Sequence, residues 1–200
     1  MSAVAVVDAG GANLASVLFA LERLACRARL ARDADELRGS SHVILPGVGA
    51  AAPAMALLRE RGLDATLRAP EVPLLGICLG MQLLFEGSEE GGVAGIGLLP
   101  GRVARLEGGP AERSPHMGWN SLQPLRSSPL LAGIGAGSQF YFVHGYAAPV
   151  TADCVALSRH GAPFAAIVQR GCVAGVQFHP ERSAAAGQRL LANFIGMEAA

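Results

Sequence analysis

The chain has 200 residues, 51% hydrophobic and 16% charged, with sixteen basic side chains balanced by sixteen acidic ones. A chain of this length buries roughly 70% of its unfolded surface, so one compact domain spanning residues 1–200 is expected. Neutrality argues against a nucleic-acid partner, the lack of a Lys/Arg run against a membrane-surface patch, and apolar stretches well short of ~20 residues against a membrane span.

The start, MSAVAVVDAG, has no basic segment and reaches Asp8 too early for a signal peptide, so a cytoplasmic protein is expected. AVAVVD (3–8) reads as a first core strand, and NLASVLFALERL (13–24) has helical periodicity. HVIL (42–45) is a second strand, ended by Pro46-Gly47, and residues 52–69 read as one or two helices. PLLGI (73–77) is a third strand, followed by a helical MQLLF. Short, continuously apolar strands separated by helices predict a parallel sheet covered on both faces and doubly wound.

The second half changes character. RVARLE, NSLQPL, QFYFVHGY, CVALSRHG, FAAIVQRG and CVAGVQFHP are short β-runs broken by Gly, Pro and Asn, as in antiparallel strands and hairpins. Arg170-Gly171 fits a hairpin turn, GSEEGGVAGIG (87–97) reads as a mobile surface loop, and ERSAAAGQRLLANFI as a closing helix. The expected fold class is therefore α/β, with an open, doubly wound mixed sheet extended by antiparallel strands.

Cys26, Cys78, Cys154 and Cys172 lie far apart with no CxxC spacing, so neither a disulfide framework nor a zinc site is expected. Three of them read as small core residues. Cys78 is different: Gly76-Ile77-Cys78-Leu79-Gly80 sits between a strand and a helix, the arrangement of a nucleophile elbow with cysteine in the nucleophile's place. Such a turn crowds the backbone and needs small residues around a strained centre. A helix N-terminus favours the thiolate, the reactive form. The Leu79 N–H would then face a developing oxyanion. The plain alternative is a buried cysteine in a glycine-rich turn.

A cysteine nucleophile needs a base. His42 opens an apolar strand and is expected to be satisfied in the fold, and His160, beside Gly161, to be solvated. His116 and His144 lie in aromatic-rich segments and could be functional or structural. His179 in GVQFHPE ends a β-run, and Pro180 pushes it toward extended backbone. Residues two apart in an extended segment share a side, which puts Glu181 where its carboxylate can hold one imidazole nitrogen while the other faces a thiol. Pro46-Gly47-Val48-Gly49, directly after HVIL, could turn a second oxyanion donor toward the thiol, at Val48; a plain Pro-Gly turn is the alternative.

GICLGMQ together with FHPE resembles the class I, triad-type glutamine amidotransferases, which hydrolyse glutamine and pass on ammonia. The finer resemblance, from DAGGANLASV, LPGVGA, PHMGWN and YFVHGY in that order, is to the glutaminase subunits of imidazole glycerol phosphate synthases in histidine biosynthesis. It covers nearly the whole chain. It implies a flavodoxin-like amidotransferase fold without a cofactor, Cys78 as nucleophile forming a γ-glutamyl thioester, His179 as general base and acid, and Glu181 as its orienter. It implies that Gln82 and Glu90 hold the amino-acid end of L-glutamine, while Gly49, Gly145 and Tyr146 line the pocket through backbone contacts. It further implies a heterodimer with a (β/α)8-barrel cyclase subunit, which makes imidazole glycerol phosphate and AICAR. Asn13, Pro115, His116, Met117, Trp119 and Asn120 would lie at that interface. The chain departs from the family pattern in its first loop, at Ala9 and Ala12, and at Gly145, where Ser or Thr is more usual. Other triad amidotransferases, a cysteine-elbow hydrolase and a non-catalytic partner-binding homologue are the competing readings.

Overall fold

The computed structural model describes residues 3–11, 13–108 and 113–198. Ala12 lies outside them. Five parallel strands form one side of an eight-stranded sheet: β1 (Ala3–Val7), β2 (Arg27–Ala31), β3 (His42–Gly47), β4 (Leu74–Cys78) and β13 (Val173–Val176). Their order is β2-β1-β3-β4-β13, continued by antiparallel β12 (Ala162–Arg170), β11 (Cys154–His160) and β8 (Gln123–Pro124). The expected mixed sheet is present.

The strands bury alternate side chains in two cores. Ala5, Val7, Leu45 and Leu74 pack toward Met55 and Leu58 of α2 (Ala51–Glu60) and Leu63 and Leu67 of α3 (Leu63–Leu67). Val4, Val6, Ile44, Leu75 and Ile77 pack toward Val17 and Leu21 of α1 (Leu14–Arg23) and Leu190, Leu191 and Phe194 of α5 (Ala184–Ile195). The period-2 alternation of each strand thus meets helices on both faces. Truncating Phe194, 0% exposed, would cost about 3–5 kcal/mol.

Two readings are corrected, and one left open between one helix and two is decided. RARLA is strand β2, missed because as an edge strand it carries Arg27 and Arg29 and has no continuous apolar run. Residues 52–69 form two helices, parted where Gly62 adopts φ 66°. The segment read as a mobile loop is ordered. It holds β5 (Phe85–Ser88), a 3-10 turn at Glu90–Gly92 and a buried Ile96, and β5 pairs with β6 (Leu99–Arg105), which pairs in turn with β10 (Tyr146–Ala147). Its glycines are compatible with order because the backbone needs them: a Cβ at Gly95 would fall 2.1 Å from the Phe85 carbonyl oxygen. A separate antiparallel pair, β7 (His116–Ser121) and β9 (Gln139–His144), places His116 opposite His144.

Candidate active site

β3 and β4 end side by side, with Gly47 opposite Cys78, and α4 (Leu79–Leu83) starts at once. Cys78 has φ 53° and ψ −110°, a conformation that costs a non-glycine residue of order 1–3 kcal/mol and persists only where the surroundings enforce it. The surroundings are closed. A Cβ at Gly80 would lie 1.7 Å from the Leu45 carbonyl oxygen, and one at Gly76 2.6 Å from the Met81 nitrogen. The glycines flanking Cys78 are therefore packing requirements of the elbow, which turns the thiol out at the carboxyl edge of the sheet.

His179 follows β13 with extended backbone (φ −100°, ψ 95°), and its N–H donates to the Tyr141 carbonyl at 2.9 Å. Its Nδ1 meets Glu181 Oε1 at 2.8 Å, and the imidazole hydrogen-bonds the Cys78 thiol. Glu181 reaches it from a single 3-10 turn, Pro180–Arg182, and not from the straight extended run expected. Pro180 starts that turn with a preset φ, and the turn brings the carboxylate back under the ring. Burial pushes the His179 pKa down, but the hydrogen bonds and negative charge of Cys78 and Glu181 outweigh it and raise it to about 10. The imidazole therefore carries its proton at neutral pH.

Asn13 was expected at a partner surface. It precedes α1 at φ 88° but makes no side-chain cap; its amide instead donates to Glu181 Oε1. An Asn before a helix reads as a cap, which is why sequence alone gave no sign of this contact. Glu181 Oε2 is buried without a partner among the described residues.

Val48, Gly49, Cys78, Leu79, Gln82, Glu90, Val143, His144, Gly145, Tyr146 and His179 line one cavity of about 150 Å³. That is below the roughly 300–1,000 Å³ of sites for drug-sized ligands and suits an amino acid. Leu79 opens α4, so its N–H has no partner within the helix. Gln82 uses both amide N–H groups, on the Tyr146 carbonyl (2.8 Å) and Gln177 Oε1 (3.0 Å), which leaves its oxygen as an acceptor. Glu90 Oε2 accepts from the Ala51 N–H at 2.9 Å, tying the loop after β5 to the start of α2. Two acceptors at this end of the cavity suit an ammonium group. A larger cavity, about 410 Å³, lies at the opposite edge of the sheet beside Val43 and Leu74 and is lined by neither cysteine nor histidine.

The histidines sort partly as expected. His42 is satisfied, by Ser41 and the Met197 carbonyl. His116 is buried, 3% exposed, and so presents no face to a partner; it stacks on His160 at 4.3 Å and bonds His144 at 3.1 Å. His160 is correspondingly held in the fold, by that stacking and by the Arg113 carbonyl. Asn120 is turned onto His116 and the Arg159 carbonyl, whereas Pro115, Met117 and Trp119 are exposed. Sequence reasoning missed Val143, whose carbonyl lies 3.6 Å from the Cys78 sulfur, and Gln177, whose amide nitrogen lies 3.8 Å from it. No group of His, Cys, Asp and Glu able to hold a metal occurs among the described residues. Nor is any helix among them long and apolar enough to cross a membrane.

The glutamine amidotransferase class-I family model matches residues 5–197. The chain is 60% identical over 197 residues to the imidazole glycerol phosphate synthase subunit HisH of Xanthomonas euvesicatoria, covering 98% of each protein. It is 59% identical over the full length of both chains to that of Xylella fastidiosa. Among solved structures, a crystal structure of a glutamine amidotransferase matches with TM-score 0.74 at 24% identity over 96% of each chain. The structure of PurLQS from Thermotoga maritima matches with 0.72 at 21% identity over 97% of each, a likeness of fold. The chain belongs to the class-I glutamine amidotransferases.

Proposed function

We infer that this chain, acting as one amidotransferase domain, is the glutaminase subunit of an imidazole glycerol phosphate synthase and hydrolyses L-glutamine to feed ammonia to a cyclase subunit. The observation that carries the reading is an amino-acid-sized pocket lined by Cys78 and by a His179 that Glu181 holds from behind, on a chain about 60% identical to HisH proteins.

The Cys78 sulfur attacks the side-chain amide carbon of glutamine, and the carbonyl electrons move to oxygen. The N–H groups of Leu79 and Val48 receive that oxyanion; losing one such donor would cost roughly 3–4 kcal/mol of transition-state stabilisation. His179, held protonated by Glu181, gives its proton to the departing nitrogen, and ammonia leaves a γ-glutamyl thioester. Water then attacks the thioester, with His179 taking its proton. Gln82 and Glu90 receive the α-ammonium group, and Gly49, Gly145 and Tyr146 line the pocket.

Free ammonia is largely protonated at neutral pH, so a seal against the acceptor enzyme prevents its loss. Exposed Met117 (65%) and Trp119 (54%) on β7 suit such a seal. β7 pairs with β9, whose Tyr141 carbonyl holds the His179 backbone, so a partner on this face lies one strand from the base. The loop after β3 is the proposed switch, its N–H turned productively only when the loaded cyclase favours that state. Ammonia release from glutamine, measured with and without the cyclase for wild type and Cys78→Ala, tests the reading. Turnover should be very slow alone, rise with the loaded cyclase and vanish in the variant; rapid partner-free turnover sinks the switch, and activity in Cys78→Ala sinks the thioester.

A further inference from the structure

The Tyr146 carbonyl accepts two hydrogen bonds, from His144 Nδ1 and from Gln82 Nε2, both at 2.8 Å. A carbonyl can only accept, so it fixes the polarity of everything attached to it. On one side His144 must carry its proton on Nδ1. Burial lowers its pKa to about 3, so its Nε2 is an acceptor and His116 Nδ1 donates to it at 3.1 Å. On the other side Gln82 must present its amide nitrogen, whose second N–H reaches Gln177 Oε1 at 3.0 Å. With its oxygen committed, Gln177 can only point its NH₂ at the Cys78 sulfur, 3.8 Å away.

Gln177 is 0% exposed, and the sulfur is the one partner of its NH₂ among the described residues. A buried amide donor needs a partner worth its desolvation. A neutral thiol is a weak acceptor, whereas charge-assisted hydrogen bonds are roughly twice as strong as neutral ones. The thiol hydrogen has its own acceptor in the Val143 carbonyl, 3.6 Å away, so the donor is matched to the sulfur once that proton has left and the sulfur bears negative charge.

We propose that Gln177 is a further catalytic residue, whose side-chain N–H holds the Cys78 sulfur while that sulfur is anionic. This rests on the glutaminase reading. In the first half-reaction the sulfur lone pair forms the S–C bond; the C–N bond then breaks, its electron pair leaving on nitrogen, which takes the His179 proton. In the second, water forms a C–O bond and gives a proton to His179, the C–S bond breaks, and its electron pair returns to sulfur. Gln177 meets the charge at the start and again at that return. Because Gln82 lines the substrate cavity and orients Gln177, the same chain links occupancy of the pocket to the donor.

The test uses the full chain carrying Gln177→Met, which keeps length and bulk without a donor, and Gln177→Glu, which keeps an oxygen toward Gln82 and puts a carboxylate toward the sulfur. Melting temperature and circular dichroism establish folding. Alkylation of Cys78 by iodoacetamide, followed by peptide mass spectrometry at pH 7, should slow about tenfold in Gln177→Met and further in Gln177→Glu. Glutaminase kcat with the cyclase should fall about 10- to 100-fold with KM within about twofold, a split that loosened packing alone would not produce. Wild-type alkylation and kcat in folded Gln177→Met overturn the proposal. If that variant does not fold, Gln177→Glu alkylating as fast as wild type overturns it. Iodoacetamide needs no amide substrate, so a wild-type chain inert toward glutamine would defeat the proposed function while the alkylation result still decides Gln177.

Discussion

Two neighbouring strand ends form the floor of the pocket, and they are built in opposite ways. Cys78 and Gly49 both hold positive φ, 53° and 99°, within two positions of the paired residues Gly47 and Cys78. Around the elbow there is no room: the Leu45 carbonyl and the Met81 backbone would collide with any side chain at 80 or 76. Around Gly49 a Cβ would meet nothing within 4 Å. Cys78 is fixed by its neighbours, whereas residue 49 of the adjacent loop has no neighbour to hold it. That division suits the chemistry. A nucleophile gains from being held in one geometry, and a donor that must answer a partner gains from a second accessible conformation.

The largest expected effect breaks the rigid side. In Gly80→Ala the methyl carbon would sit 1.7 Å from a main-chain oxygen of the central strand β3, so α4 and β3 must separate. We expect a loss beyond about 4 kcal/mol, in the range of exceptional single substitutions, read as a collapse of the melting temperature or as insoluble protein. A soluble variant melting within a few degrees of wild type would show that the elbow can relax and that the contrast is overstated.

How far each side was legible in the sequence follows from the same packing. The elbow and FHPE could be read because strain and reactivity restrict residue type locally: glycine at 76 and 80, and a proline after His179. The central strands could be read because burial on both faces leaves continuous apolar runs, as in HVIL. β2 was not legible, since an edge strand flanked by arginines carries no such run. Asn13 on Glu181 and Gln177 on Cys78 are separated by 168 and 99 residues in the chain. Nothing local marks such pairs, and Asn13 imitates a helix cap. The order in residues 87–97 was hidden because glycines that permit close backbone approach look the same as glycines that permit motion.

A medium effect sharpens the rigid side through its base. Glu181→Gln keeps the shape of the hook but removes the charge that, with Cys78, raises His179 to about 10. Wild type should keep the imidazolium as leaving-group acid up to that pH, and the variant should lose it earlier, so the alkaline limb of kcat/KM with the cyclase moves down. The linkage runs the same way. A histidine pKa raised on folding contributes stability in full below about 6.5, lost as pH rises toward about 10, and the melting temperature of the variant should depend less on pH over that window. An unmoved alkaline limb would remove Glu181 from the protonation of His179.

The smallest expected effect tests the open side. Gly49→Ala meets no neighbour, so its cost is confined to the positive φ, about 1 kcal/mol of stability and a shift of a few degrees in melting temperature. The space around residue 49 lets the loop escape that cost by changing conformation, which the elbow could not do. Activity should therefore respond more than stability does: a roughly tenfold change in glutaminase kcat with the cyclase, against a nearly unchanged fold. Its direction is informative. A fall means the positive-φ conformation is the productive one; a rise in partner-free turnover means that it is the resting one, and that alanine has released the Val48 N–H toward the substrate. Unchanged kcat under both conditions would mean that the loop takes no part in holding the oxyanion, leaving the Leu79 N–H at the crowded elbow as the donor that matters.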